Sequence, residues 1–142
     1  MNTMQERIQE IIDQFALFDD WMDKYSLIIE FSKKLPPLDE RYKTPTYLIH
    51  GCQSQVWLAA ELKDGKVYFF ADSDAVITKG MVAILVYIFS GATPNEILNN
   101  DFSFIDQLGW REHLSPTRAN GLNAMLKQIK MYALAFSTMK KD

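Results

Sequence analysis

Cysteine is nearly missing from this chain: Cys52 is the only one. A lone cysteine cannot close an intrachain disulfide, form a Cys-x-x-Cys redox pair or build a Cys-rich zinc site. Histidine is almost as scarce. His50 and His113 lack the short spacing of a helix-borne metal pair, so no metal site is expected. Positive charge is not in excess either. Lys and Arg number 15 against 18 Asp and Glu, a net charge of −3, which argues against a nucleic-acid-binding surface. Lys140 and Lys141, the one basic pair at a chain end, read as a solvated helix terminus. Long apolar runs are lacking too. The longest, Met81 to Phe89, falls well short of the ~20 residues that a membrane span needs. Met1 to Arg7 contain no apolar signal region, so the expected location is the cytoplasm, with neither a nucleic acid nor a membrane as partner.

What remains is an ordinary globular composition over 142 residues, enough for one domain with a core of its own. Ile8, Ile11, Ile12 and Phe15 recur at helical spacing and predict a first helix over residues 4–16. Asp19 and Asp20 offer a cap for a second, marked by Trp21, Tyr25, Ile28, Ser32 and Leu35 and stopped by Pro36 and Pro37. Residues 38–45 read as a loop, and Tyr47 to Ile49 as a short strand. Val56–Lys63 and Lys66–Asp72 are strands joined by Asp64-Gly65, a strong two-residue hairpin signal. That turn fixes a register in which Leu62 faces Val67, Ala60 faces Phe69 and Leu58 faces Ala71, all six on one side. Asp72-Ser73-Asp74 reads as the cap of an apolar, buried helix from Ala75 to Ser90, which Gly91 ends. Thr93-Pro94 opens a short helix through Leu98, and residues 99–114 are irregular or briefly helical. Ser115-Pro116 starts the last helix, whose stripe runs through Ala119, Leu122, Leu126, Ile129, Ala133 and Phe136. The expected fold is α+β: a small three-stranded antiparallel sheet with helices packed on one face.

Three segments stand out chemically. Gly51-Cys52-Gln53-Ser54-Gln55 sets the lone thiol at a strand junction among polar residues, with Gly51 free to make the turn. A cysteine is commonly just a small buried hydrophobe, and as a nucleophile it needs its thiolate. Amide hydrogens of a tight loop would favour that form. Shelter under the loop, against Trp57 or the start of the Ala75 helix, would oppose it. The second segment is the acidic cluster. Extending the hairpin register places Asp74 opposite Gln55, beside the cysteine loop, and Trp57 opposite Asp72 on the outer face. The third is His113 to Gly121. Arg118 lies in a first helical turn, where a cation is disfavoured, so it is expected to have a specific partner: a buried or loop carboxylate, or the thiolate.

The string Ile49-His50-Gly51-Cys52-Gln53-Ser54-Gln55-Val56-Trp57 closely resembles the cysteine loop of the SufE family. Asp72-Ser73-Asp74-Ala75 through Lys79-Gly80 resembles a second family block, Gly91 to Leu98 a third, and His113-Leu114-Ser115-Pro116-Thr117-Arg118 with Gly121-Leu122 a fourth. Tyr25, Ile28-Ile29-Glu30 and Leu35-Pro36 also fit, so the likeness spans nearly the whole chain. It implies a SufE/IscU-like fold and a sulfur carrier for iron–sulfur cluster assembly. The carrier accepts persulfide sulfur from a cysteine desulfurase of the SufS or CsdA kind and passes it to a scaffold complex. Cys52 would be nucleophile and then carrier, while Gly51, Gln53, Ser54, Gln55, Asp74 and Arg118 would support it or meet the partner. Pyridoxal phosphate would belong to the desulfurase, and this chain would bind no cofactor and show no turnover of its own. The alternatives are a stand-alone thiol hydrolase with His50 or His113 as base, and a binding module in which Cys52 only packs.

Overall fold

The computed structural model describes residues 3–139; the Lys140–Lys141 pair lies outside the described residues. The first helix, α1 (Met4–Ala16), opens on a capping box. Thr3 Oγ1 accepts from the Glu6 amide, and the Glu6 carboxylate accepts from the Thr3 amide. Asp20 caps α2 (Trp21–Lys34) by accepting from the Met22 amide, and the chain leaves the helix at Leu35, before Pro36 and Pro37. A 3-10 turn (Glu40–Tyr42) follows within the expected loop.

Strands β1 (Val56–Lys63) and β2 (Lys66–Ser73) form the hairpin in the expected register, Leu62 opposite Val67 and Leu58 opposite Ala71. The turn requires two left-handed residues and has them: Asp64 at φ 54° and Gly65 at φ 78°. The third strand does not form, and the sheet is two-stranded. Tyr47–Ile49 contributes a single bridge, Leu48 opposite Trp57, with the Leu58 amide donating to Tyr47 O and the Ile49 amide to Val56 O. Pairing has no room to continue. Tyr47 and Leu48 are still tied into the turn after Thr44-Pro45, and Gly51, at φ 95°, sends the chain away.

Helix α3 (Val76–Phe89) is followed by α4 (Pro94–Leu98), α5 (Phe104–Leu108), α6 (Trp110–His113) and the long α7 (Pro116–Met139). The inner face of the hairpin, through Leu58, Val67, Phe69 and Ala71, joins one core with α3 and with Leu122, Met125, Leu126 and Ile129 of α7. Two contacts hold the layers at close range. The Tyr132 hydroxyl donates to Leu58 O across 2.6 Å, and Gly80 lets α3 press against the Ile28 backbone of α2. The outer face of the sheet is covered by the loop rather than by helices: Ala59 is buried with Leu38 and Tyr42, flanked by Tyr47 and Trp57.

Candidate functional site

Cys52 sits where three segments meet: its own loop, the start of α3 and the first turns of α7. Together they wall a cleft of about 550 Å³. Gly51, at φ 95°, turns the chain so that the cysteine points back toward α7. The thiol is half-buried, and its sulfur donates weakly to Gly121 O at 3.7 Å. Gly121 is the seat beneath it: a Cβ there would lie 3.3 Å from Cys52 Sγ. Burial pushes the Cys52 thiol pKa up, and its sulfur accepts from no loop amide among the described residues, so the resting group is held as a thiol.

The loop is closed from its far side by Asp74. Its carboxylate accepts from the Gln55 amide at 3.0 Å, and its own amide donates to Gln55 O at 3.2 Å. The contact inferred from the hairpin register is therefore made. It also means that the acidic cluster does not cap α3. The N-cap is Ala75, without a side-chain hydrogen bond, because Asp74 is engaged with the loop and Ser73 Oγ accepts from the Ala75 amide. Asp72 is engaged elsewhere, in ion pairs with Lys43 and Lys79 (both 3.3 Å). Burial alone would raise its pKa, but the Ser73 amide and the two ammonium groups outweigh that and hold it low.

Gln53, Ser54 and Arg118 reach the cleft with Cys52, whereas Asp74 and Gln55 act from behind the loop. Arg118 forms no ion pair among the described residues, so the expected carboxylate partner is not found there. Among the described residues it is the one charged residue lining the cleft, and none of them adds a carboxylate to its walls. Ser115 caps its turn, accepting from the Arg118 amide at 3.3 Å. Trp57 is not part of the cleft; it packs on the outer face of the sheet. Neither histidine lines the cleft, and His113 is stacked on Trp21 with ring centroids 4.2 Å apart. Among the described residues no group of three or more His, Cys, Asp or Glu side chains could hold a metal ion, and no helix is long and apolar enough to cross a membrane. Sequence reasoning missed Thr78 and Met125 as cleft residues. Thr78 carried a signal, a hydroxyl in the first turn of an otherwise apolar helix.

Known proteins are similar to this chain in sequence and in fold. An uncharacterised SufE-like protein of Rhizobium meliloti (strain 1021) is 41% identical over 131 residues, covering 89% of this chain and 94% of the relative. The solution structure of a hypothetical protein from Thermus thermophilus superposes with a TM-score of 0.78 at 21% identity, covering 93% of this chain and 96% of the other, and so supports the α+β fold. The Fe-S metabolism associated domain of the SufE family matches residues 9–133, nearly the full length, and the chain belongs to that family.

Proposed function

We propose that this protein is a persulfide carrier of the cytoplasm. It takes sulfur from a cysteine desulfurase of the SufS or CsdA kind onto Cys52 and delivers it to an iron–sulfur scaffold complex. The observation that carries this reading is the placement of the lone thiol, half-buried at a cleft with room for a further atom and a single cation on its wall. In the transfer step the Cys52 thiolate attacks the outer sulfur of the donor's persulfide. A new S–S bond forms on Cys52, the donor's S–S bond breaks, and the donor cysteine leaves as thiolate. Cys52 must first lose its proton, which burial disfavours in the free protein. Docking that swings the Gly51–Gln55 loop outward would restore access and acidity, the partner's contacts stabilising the open state. The closed loop then shields the cargo from stray thiols. The pyridoxal phosphate of the reaction belongs to the donor. A hydrolase would require a base at the thiol, and neither histidine lines the cleft.

The test is persulfide transfer from a desulfurase supplied with cysteine, read by intact mass. The expected result is one added sulfur on the parent protein and none on Cys52→Ser, which keeps its fold and still binds the donor. Unimpaired stimulation of the desulfurase by the serine variant would sink the carrier mechanism.

A further inference from the structure

A persulfide extends the Cys52 side chain by one sulfur atom and carries its charge on that outer atom. The anion needs hydrogen-bond donors that the resting thiol does not use. One wall of the cleft supplies them. It is the first turn of α3, from Ala75 to Thr78. The first amides of any helix lack acceptors within it, and a side chain at the N-cap normally takes one. Here the N-cap is alanine, and the neighbouring polar side chains are committed elsewhere, Asp74 to the Gln55 amide and Ser73 to the Ala75 amide. The amides of Val76, Ile77 and Thr78 find no acceptor among the described residues.

Thr78 adds an independent observation. The residue is only 8 % exposed, and it lines the cleft, so the little surface it keeps opens there. Its hydroxyl has no hydrogen-bond partner among the described residues, and it is not sealed in. A threonine within a helix commonly bonds a carbonyl of the preceding turn, and this one does not, so its donor is left for whatever enters the cleft. The unloaded thiol does not satisfy it, since its sulfur contacts Gly121 O instead.

We propose, resting on the carrier reading, that the first turn of α3 cradles the outer sulfur of the Cys52 persulfide and that the Thr78 hydroxyl donates to it. The open helix N-terminus favours a negative charge at that point, and among the described residues the cleft has Arg118 and no carboxylate. Thr78 is thus a cargo-binding residue, idle until sulfur arrives.

The test loads the sulfur chemically. Cys52 is converted to its mixed disulfide with thiopyridine. Sodium sulfide then displaces thiopyridone and leaves Cys52 as a persulfide, confirmed by mass. The rate of alkylation by iodoacetamide is followed against pH for the loaded and unloaded forms. Thr78→Val, which keeps the shape and deletes the donor, should shift the persulfide titration upward, lowering its ionisation constant about tenfold, as expected for losing a hydrogen bond to a charged group. Thr78→Ser should restore it to within about twofold, and the unloaded thiol should move less than about twofold in either variant. If Thr78→Val does not fold, Thr78→Ala reads the same loss. An unmoved persulfide titration, a serine variant that behaves like valine, or equal shifts of thiol and persulfide would overturn the assignment. No desulfurase takes part, so failure of enzymatic transfer strikes the carrier reading, whereas an unmoved titration strikes the Thr78 cradle alone.

Discussion

Replacing Gly121 by alanine should unseat Cys52 while leaving the fold about as stable. Gly121 lies within α7, and an added Cβ would stand 3.3 Å from Cys52 Sγ, 3.8 Å from its Cβ and 4.0 Å from its Cα. The first distance is tighter than ordinary contact, so one side has to give by a few tenths of an ångström. The helix is anchored in the core through Leu122, Met125 and Leu126, whereas Cys52 belongs to a loop and holds Gly121 only through a weak 3.7 Å sulfur contact. The cysteine therefore moves. Alanine in a helix interior gains about 1 kcal/mol over glycine. Crowding a packed site ordinarily costs about 1–3 kcal/mol, and the yielding loop keeps the cost here near the lower end. The two nearly cancel, so the melting temperature should stay within about 5 °C of the parent's. Reactivity should change more. Burial holds the thiol pKa up, and a sulfur pushed toward the cleft mouth regains solvent, so its pKa falls back toward the ordinary value. Alkylation by iodoacetamide at neutral pH, followed by intact mass, should quicken about threefold to tenfold. A variant as stable as the parent but no faster to label would refute the claim that Gly121 seats the thiol. A melting temperature lowered by more than about 10 °C, with labelling unchanged, would show that the loop does not yield.

Gly80→Ala should behave oppositely. Its Cβ would meet Ile28 O at 2.1 Å and Ile28 Cγ2 at 2.5 Å, so α2 and α3 must separate, and denaturant unfolding should show a loss of at least about 2 kcal/mol despite the better helix former. Asp74→Ala removes the acceptor of the Gln55 amide but keeps the reciprocal backbone bond. Global stability should fall by no more than about 1 kcal/mol, while hydrogen exchange at the Gln55 amide quickens; unchanged protection there would count against Asp74 as the loop's clamp. Asp72 has its pKa lowered in the fold, so its contribution is present above the unfolded value of about 4 and is lost as pH falls through the folded one. Urea midpoints of the parent and Asp72→Asn should therefore converge on acidification, and a gap that stays constant into strong acid would contradict the Lys43–Asp72–Lys79 network.

Features that depend on neighbours along the chain are legible in the amino-acid order. Asp64-Gly65 takes two left-handed conformations, so the hairpin register, and with it the meeting of Asp74 and Gln55, is legible from the turn alone. Asp20, Pro36 and Ser115-Pro116 set helix ends through hydrogen bonds and ring sterics that act within a few residues. The Cys52 string was equally plain as a motif. How those local pieces compete is settled by packing in three dimensions. Tyr47–Ile49 has strand-like residues but only one bridge's worth of free backbone, because the turns on either side use the rest. Asp74 could cap a helix or close a loop, and the loop's amide is what stands within its reach, which leaves α3 uncapped. Of the two partners its sequence position calls for, a carboxylate or the thiolate, Arg118 meets no carboxylate among the described residues and instead lines the cleft that holds Cys52. Gly121 and Thr78 lie far from Cys52 in sequence and join its cleft only because α3 and α7 share one core with the hairpin. Such meetings depend on close-packed side chains across the whole molecule, and no short-range pattern records them.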